Sequence, residues 1–123
     1  MPYHYICSIN GRILADKILL ADDLWSRTKG LLGQKTLGAG DGLWISPCRQ
    51  IHTFFMRFPI DVIFMDHKHK VMAALFNLPP WRISPFYISA GSVLEFQGGS
   101  MEQSIKKGDF LKLSMARGSE HAS

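Results

Sequence analysis

The chain has 123 residues, of which 46% are hydrophobic and 20% are charged, and its formal net charge is +4. This length accommodates one domain with a substantial core, which excludes most two-domain architectures. The balance of hydrophobic and charged residues excludes a disordered chain. The small positive charge is not concentrated in a stripe, which disfavours a nucleic-acid-binding module.

The first third of the sequence is predicted to form a β-hairpin followed by a helix. Asn10 and Gly11 lie between two apolar segments, and both tolerate the positive φ angles of a tight hairpin turn. Asp22 is a suitable helix N-cap, and apolar residues then recur at helical spacing up to Gly33, which can end the helix. The glycines of residues 34–41 indicate a loop.

The middle of the sequence is predicted to contain short strands. Residues 42–46 are typical of a buried strand, and residues 51–58 of an extended segment that ends before a proline. Residues 60–65 form the clearest predicted strand, with its even-numbered side chains on one face and its odd-numbered side chains on the other. Residues 66–70 are polar and indicate a solvated hairpin tip, which leads into an apolar strand over residues 71–76.

The last third alternates connections with short elements. Residues 77–85 contain three prolines and indicate a stiff connection, and residues 92–97 are a further strand candidate. Ser100 and Gln103 have the spacing of a capping box, which predicts a short helix, and a final strand is predicted over residues 110–113.

These elements predict an α+β fold that is mostly β. We expect a small barrel-like sheet, closed or nearly closed, with mixed or antiparallel strands and two short flanking helices. Residues 1–113 are expected to form a single compact domain. Residues 114–123, which are small, polar and charged, are expected to be a disordered tail.

Asp61 is the most informative candidate residue. It interrupts an apolar strand, where a carboxylate is costly to desolvate unless it is paired or hydrogen-bonded. One hypothesis is a polar pocket in which Asp61 meets His52 or Arg57, with Arg57 binding an anion and His52 and Asp61 as an acid–base pair. The alternative is structural, with the Asp61 carboxylate accepting hydrogen bonds from buried backbone amides.

Other arrangements have less support from their spacing. Arg27 could reach the same pocket from the first predicted helix or pair with a neighbouring aspartate on its exposed side. Cys48 and His52 would need a sharp bend to meet as a nucleophile and its base. A metal site would have to be built from residues of the 66–70 tip, where the pattern does not bring three or four ligands together. We therefore predict no metal site, and we also predict no cofactor. The remaining polar residues of this region are plausible rim residues, namely Arg49, Gln50 and Arg82.

The compartment is predicted from the cysteines and from the lack of a targeting signal. Cys7 and Cys48 have neither metal-binding nor redox spacing, which favours two buried thiols in a reducing compartment. The longest apolar run, residues 71–76, is far shorter than the ~18 residues of a membrane span. Because the first residues also lack a signal peptide, we expect a cytoplasmic protein.

Several segments together resemble the family called domain of unknown function 192. The most specific is residues 51–66, Ile-His-Thr-Phe-Phe-Met-Arg-Phe-Pro-Ile-Asp-Val-Ile-Phe-Met-Asp, and residues 27–33, 42–45, 90–96 and 105–110 also match. The resemblance covers about residues 12–113. Family members commonly have tryptophan before the methionine and Lys-Asn-Thr after it, whereas this chain has Phe55 and then Arg57 and Phe58. The resemblance implies a small, mostly β domain with barrel-like closure, and it brings no assigned reaction.

The resemblance supports five motif positions as candidate ligand-binding residues, namely Arg27, His52, Met56, Arg57 and Asp61. We hypothesise an accessory module that binds an anionic small molecule or a protein partner at a polar pocket in the segment His-Thr-Phe-Phe-Met-Arg-Phe-Pro-Ile-Asp. One alternative is a hydrolase or lyase with His52 and Asp61 as catalytic residues. Another is a polyanion binder that uses lysines and arginines such as Arg27, Lys29 and Lys35.

Overall fold

The computed structural model describes residues 3–21 and 41–117. These residues form seven strands in one mixed sheet of order β5-β4-β6-β3-β2-β1-β7. The strands are β1 (Tyr3–Ile9), β2 (Arg12–Ala21), β3 (Asp41–Ile45), β4 (Ile60–Met65), β5 (Val71–Leu78), β6 (Ser92–Gln97) and β7 (Lys112–Arg117). A mostly β chain is therefore confirmed, and β4 and β6 have the predicted bounds.

The predicted N-terminal hairpin is confirmed. β1 and β2 pair antiparallel, and the turn residues Asn10 and Gly11 have φ angles of 51° and 79°. Asparagine and glycine adopt this left-handed backbone at little cost, which is why this pair predicts a hairpin.

The prediction of a closed, barrel-like sheet is wrong for the described residues. Closure would require the two edge strands to pair, but β5 pairs with β4 and β7 pairs with β1. An isolated bridge between Lys70 and Phe110 links the β5 side to the residues before β7. One bridge is not a ladder, and the sheet stays open.

The prediction of a helix after Ser100 is also wrong, because residues 98–111 form turns. A capping box would have the Ser100 hydroxyl accept from a backbone amide further along the chain, but this hydroxyl donates back to the Gln97 carbonyl at 2.7 Å. The Gly99 and Met101 amides donate to the buried Asp61 carboxylate, which fixes the backbone in a non-helical path. The other predicted helix, residues 22–33, lies outside the described residues.

Two long connections cross the same face of the sheet. β3 and β4 both pair antiparallel with β6, so they are parallel to each other, and β5 and β6 are parallel for the same reason. Parallel strands need a crossover connection. We name residues 46–59 the first crossover and residues 79–91 the second crossover.

The two crossovers run antiparallel to each other and are joined by backbone hydrogen bonds. The Cys48 amide donates to the Gly91 carbonyl, the Ser84 amide to the Ile51 carbonyl and the Thr53 amide to the Arg82 carbonyl. The extended segment predicted over residues 51–58 therefore exists in part, as a partner of the second crossover rather than as a strand of the sheet.

Two apolar clusters pack on opposite faces of the sheet, so that β4 is buried on both sides. One lies beneath the crossovers and includes Ile60, Val62 and Phe64. The other lies on the opposite face and includes Ile63 and Met65, together with residues of β1, β2 and β6. This division confirms the predicted alternation of the even- and odd-numbered side chains of β4.

Candidate binding surface

Asp61 is fully buried, and its carboxylate accepts hydrogen bonds from backbone amides. The donors are the amides of Asn77 at 2.8 Å, Gly99 at 3.1 Å and Met101 at 2.9 Å. These bonds hold the end of β5 and the turn after β6 against β4. The arrangement is the structural alternative recognised from the sequence, with donors that are far from Asp61 in the chain.

The structure does not bring Asp61 together with His52 or Arg57. Asp61 shares its face of β4 with Ile63 and Met65, whereas the first crossover packs on the face of Ile60, Val62 and Phe64. The sheet therefore separates the Asp61 carboxylate from the crossover that carries His52. In the described part of the chain, no side-chain hydrogen bond or ion pair links Asp61 to either residue.

His52 lies where the two crossovers pair. It forms a β-bridge with Ile83, and its ring Nδ1 accepts a hydrogen bond from the Phe54 amide at 3.2 Å. The imidazole also stacks on the Phe54 ring, with 4.8 Å between the ring centroids. With Nδ1 as an acceptor, the neutral ring carries its proton on Nε2, which leaves one N–H for an external partner.

Thr53 joins the two crossovers at this point and is fully buried. Its hydroxyl donates to the Pro79 carbonyl at 2.6 Å and accepts from the Arg82 amide at 2.9 Å. Its carbonyl accepts from the amides of Met56 and Trp81. One buried side chain thus fixes both loop tips, which is a role that the sequence analysis missed.

Two exposed aromatic side chains meet above Thr53. Phe55 is 65% exposed and Trp81 is 56% exposed, yet their ring centroids lie 4.6 Å apart in an edge-to-face arrangement. Phe54 extends the group, with its centroid 5.8 Å from that of Trp81. Both Phe55 and Trp81 have a φ angle of 67°, which is a genuine outlier for a bulky residue.

The remaining candidate residues are neighbours of these aromatic residues in the chain. Met56 packs partly against the cluster beneath the crossovers, and Arg57 and Arg82 are exposed. Arg27 lies outside the described residues. We call the set His52, Phe54, Phe55, Arg57, Trp81 and Arg82 the aromatic–arginine surface.

The sequence signals for this surface were incomplete. The segment around His52 was predicted to be the region of interest, whereas Trp81 lies in a proline-rich connection that was predicted only to be stiff. No local pattern reveals that the connection pairs with residues 48–53, because that pairing joins residues 28 to 43 positions apart. A useful signal would have been the large aromatic residue next to the prolines, where packing is not expected.

The hairpin tip is built for a turn rather than for a metal. Asp66 Oδ1 accepts from the amides of Lys68 and Lys70, at 2.8 and 2.9 Å. The Lys70 amide is the main cause that lowers the pKa of the Asp66 carboxyl below its usual range. Among the described residues, no three metal-ligating side chains are grouped. The described residues also contain no helix that is long and apolar enough to cross a membrane.

Comparisons with known proteins agree with this fold. A protein of unknown function from Novosphingobium aromaticivorans DSM 12444 has a TM-score of 0.73 and 23% identity, over 88% of this chain and 82% of that chain. A protein from Sinorhizobium meliloti 1021, described as a proposed transcription regulator, has a TM-score of 0.72 and 20% identity, over 92% of this chain and 96% of that chain. At these identities the likeness shows the fold alone.

No curated protein gives a significant match to the chain. The model of the family domain of unknown function 192 (DUF192), described as "Uncharacterized ACR", matches residues 6–113. This match covers most of the chain and includes part of β1, all of β2 to β6, both crossovers and the start of β7. The chain therefore belongs to the DUF192 family.

Proposed function

We propose that this domain is a protein-binding module, and that the aromatic–arginine surface captures a partner segment that carries acidic and large apolar side chains. The observation that carries the proposal is the pair Phe55 and Trp81. These two large rings are exposed, touch each other and are both held at a φ angle of 67°.

The backbone conformation of these two residues supports a role outside folding. A left-handed backbone costs a residue with a side chain about 1–2 kcal/mol, and glycine avoids this cost. Exposed rings return little of that free energy through burial. Backbone strain of this kind clusters at binding sites, where the surrounding structure enforces it. Here the carbonyl of Thr53 accepts the Trp81 amide at 2.9 Å and so holds the strained tip in place.

The charge pattern supports an acidic protein segment as the partner. The two crossovers contain Arg49, Arg57 and Arg82 but no aspartate, glutamate or lysine. Aromatic residues and arginine are enriched and lysine is depleted at protein interfaces. Anionic lipids and nucleic-acid phosphates attract lysine as readily as arginine, so the absence of lysine favours a protein over either of them.

The proposal retains the partner-binding hypothesis and moves it from a polar pocket to an aromatic surface. The pocket that we expected from the sequence required Asp61, whose carboxylate is occupied by three backbone amides on the other side of the sheet. The hypothesis of a His52–Asp61 acid–base pair requires the same meeting of side chains. The geometry therefore gives more support to binding than to that pair.

The proposal can be tested by selecting random 12-residue displayed peptides on the full chain. We expect enrichment of peptides that combine Asp or Glu with at least one large apolar residue. Phe55→Gly and Trp81→Gly should each lower the affinity for an enriched peptide by about tenfold or more, because both rings are central to the surface. Phe110→Ala is the matched control, since Phe110 is 60% exposed but lies outside the crossovers. It should change the affinity by less than about twofold.

The glycine variants also give a readout on folding. Glycine relieves the left-handed backbone at both positions, so the melting temperature of each variant should stay the same or rise. Failure to enrich acidic peptides, or full binding by both glycine variants, would overturn the proposal. Binding to anionic vesicles or single-stranded oligonucleotides, or self-association, would equally overturn it if the glycine variants abolish that activity.

A further inference from the structure

A second feature of the crossovers is a cleft at the end opposite to the aromatic–arginine surface. It is an open cleft with a volume of about 320 Å³, and its lining residues include Pro47, Cys48, Arg49, His67, Phe86 and Gly91. The lining combines three residues of the first crossover, the tip of the β4–β5 hairpin and the end of the second crossover. The lining contains one arginine and one histidine side chain and no carboxylate.

The backbone and side chain of Arg49 are both tethered to the second crossover. The Arg49 carbonyl accepts the Tyr87 amide at 2.9 Å, and the guanidinium Nε donates to the Ala90 carbonyl at 3.3 Å. The Nε bond restrains the plane of the guanidinium and leaves its Nη groups for another acceptor. No carboxylate among the described residues pairs with Arg49. The ion pairs within the described residues join Arg12 to Glu102 and Lys106 to Asp109, away from the cleft.

His67 reaches the cleft because Gly91 has no side chain. A Cβ atom on Gly91 would lie 2.9 Å from both Nδ1 and Cε1 of the His67 ring, which is too close for any real contact. The imidazole therefore occupies the space that a side chain at position 91 would fill. The Gly91 amide donates to the Met65 carbonyl at 2.7 Å, which fixes this backbone beside β4.

The rest of the lining is apolar or already engaged. Pro47 and Phe86 supply an apolar wall, and the Phe86 ring is largely exposed. The Cys48 thiol donates to the Gln50 carbonyl at 3.3 Å. The cleft thus offers a guanidinium and an imidazole N–H beside an apolar wall. This chemistry recognises an oxyanion that is joined to an apolar or aromatic group.

We propose that this cleft is a binding site for a small molecule that carries a carboxylate or phosphate on an apolar body. The Arg49 guanidinium holds the oxyanion, the His67 imidazole donates a second hydrogen bond, and the body packs on Phe86 and Pro47. The site is separate from the aromatic–arginine surface and does not depend on the function proposed for that surface.

The site can be tested with four simple probes in an NMR titration of the full chain. Benzoate and phenyl phosphate have both features, acetate has the charge without the ring, and benzyl alcohol has the ring without the charge. We expect saturable shifts at the His67 ring and the Gly91 amide with at least one of the two aryl oxyanions. Acetate and benzyl alcohol should bind about tenfold more weakly or not at all. Whichever aryl oxyanion binds more tightly identifies the preferred group.

Two variants and a control make the test specific. Arg49→Gln should weaken aryl oxyanion binding about tenfold. Gly91→Ala should do so too by displacing the exposed His67 ring, with little effect on the melting temperature. Arg82→Gln is the matched control, since Arg82 is an exposed arginine of the other end of the crossovers. Equal binding of benzyl alcohol, no saturable shift with either aryl oxyanion, or equal weakening by Arg82→Gln would overturn the proposal.

Discussion

Asp61 illustrates how a buried charge can be a determinant of the fold. Its carboxylate has no cationic partner among the described residues and is instead stabilised by three backbone amides from two separate segments. The sequence identified this residue as costly to bury, which was correct. The sequence could not identify the donors, because they lie 16, 38 and 40 positions further along the chain.

We expect Asp61→Asn to destabilise the protein strongly. Asparagine keeps one carbonyl oxygen, but its NH₂ group would face amide donors, so at least one buried donor loses its acceptor. The free energy of unfolding should fall by about 3 kcal/mol, which is typical of lost hydrogen bonds to a buried charge. Urea denaturation monitored by tryptophan fluorescence would measure this change.

Asp66→Asn provides the control for that measurement. Asp66 also accepts two backbone amides, but at a solvated hairpin tip, where water can replace a lost acceptor. Its substitution should lower the free energy of unfolding far less than Asp61→Asn does. If the two variants were equally stable, the Asp61 carboxylate would not be the determinant that its contacts indicate.

At the scale of elements, strands were easier to predict than the connections between them. β4 and β6 have the predicted bounds because their runs of apolar residues are bounded by prolines, glycines or polar residues. β7 runs from Lys112 to Arg117, beyond the predicted end at residue 113, because pairing with β1 supports polar residues that lack a strand pattern. The crossovers were unpredictable from local pattern, since their mutual pairing depends on the order of strands in the sheet.

The pairing of the crossovers depends on Thr53, and this dependence can be measured. Thr53→Val keeps the shape of the side chain but removes the hydroxyl, which leaves the Pro79 carbonyl and the Arg82 amide without that partner. We expect a loss of about 2 kcal/mol in the free energy of unfolding. Hydrogen exchange should become faster at the Trp81 and Arg82 amides than in β4, which would show local separation of the crossovers.

Thr53→Ser separates the hydroxyl from the methyl group of the same side chain. It keeps the hydroxyl bonds, so exchange at the Trp81 and Arg82 amides should remain close to that of the wild type. Acceleration in the serine variant but not in the valine variant would instead assign the stability of the crossovers to packing of the threonine methyl group. Across these variants, the affinity of the aromatic–arginine surface for peptide should fall as the exchange rates rise.

The whole molecule distributes its polar chemistry unevenly over the two sides of the sheet. The side of the sheet that the crossovers cover carries both proposed binding sites, at opposite ends of the same pair of connections. The other side contains the apolar cluster that includes β1, β2 and the turns after β6. A single open sheet can thus keep one side for stability while loops on its other side present exposed aromatic and cationic groups.

The pH dependence of global stability reports on the side of the sheet opposite the crossovers, because Cys7 is buried in the apolar cluster there. Burial raises the pKa of the Cys7 thiol from 9.0 to about 12. The unfolded chain therefore loses the thiol proton more readily than the folded chain, and stability must fall as the pH rises above about 9. At pH 10, this one group should lower the free energy of unfolding by about 1.4 kcal/mol relative to pH 8.

Urea midpoints of the wild type and of Cys7→Ala across this range would isolate the effect, since lysines and tyrosines contribute equally to both. The variant should be less stable at every pH because of its cavity, but its decline above pH 9 should be shallower. Parallel curves would mean that the thiol is already accessible to water in the folded protein, and that the cluster around β1 opens without global unfolding.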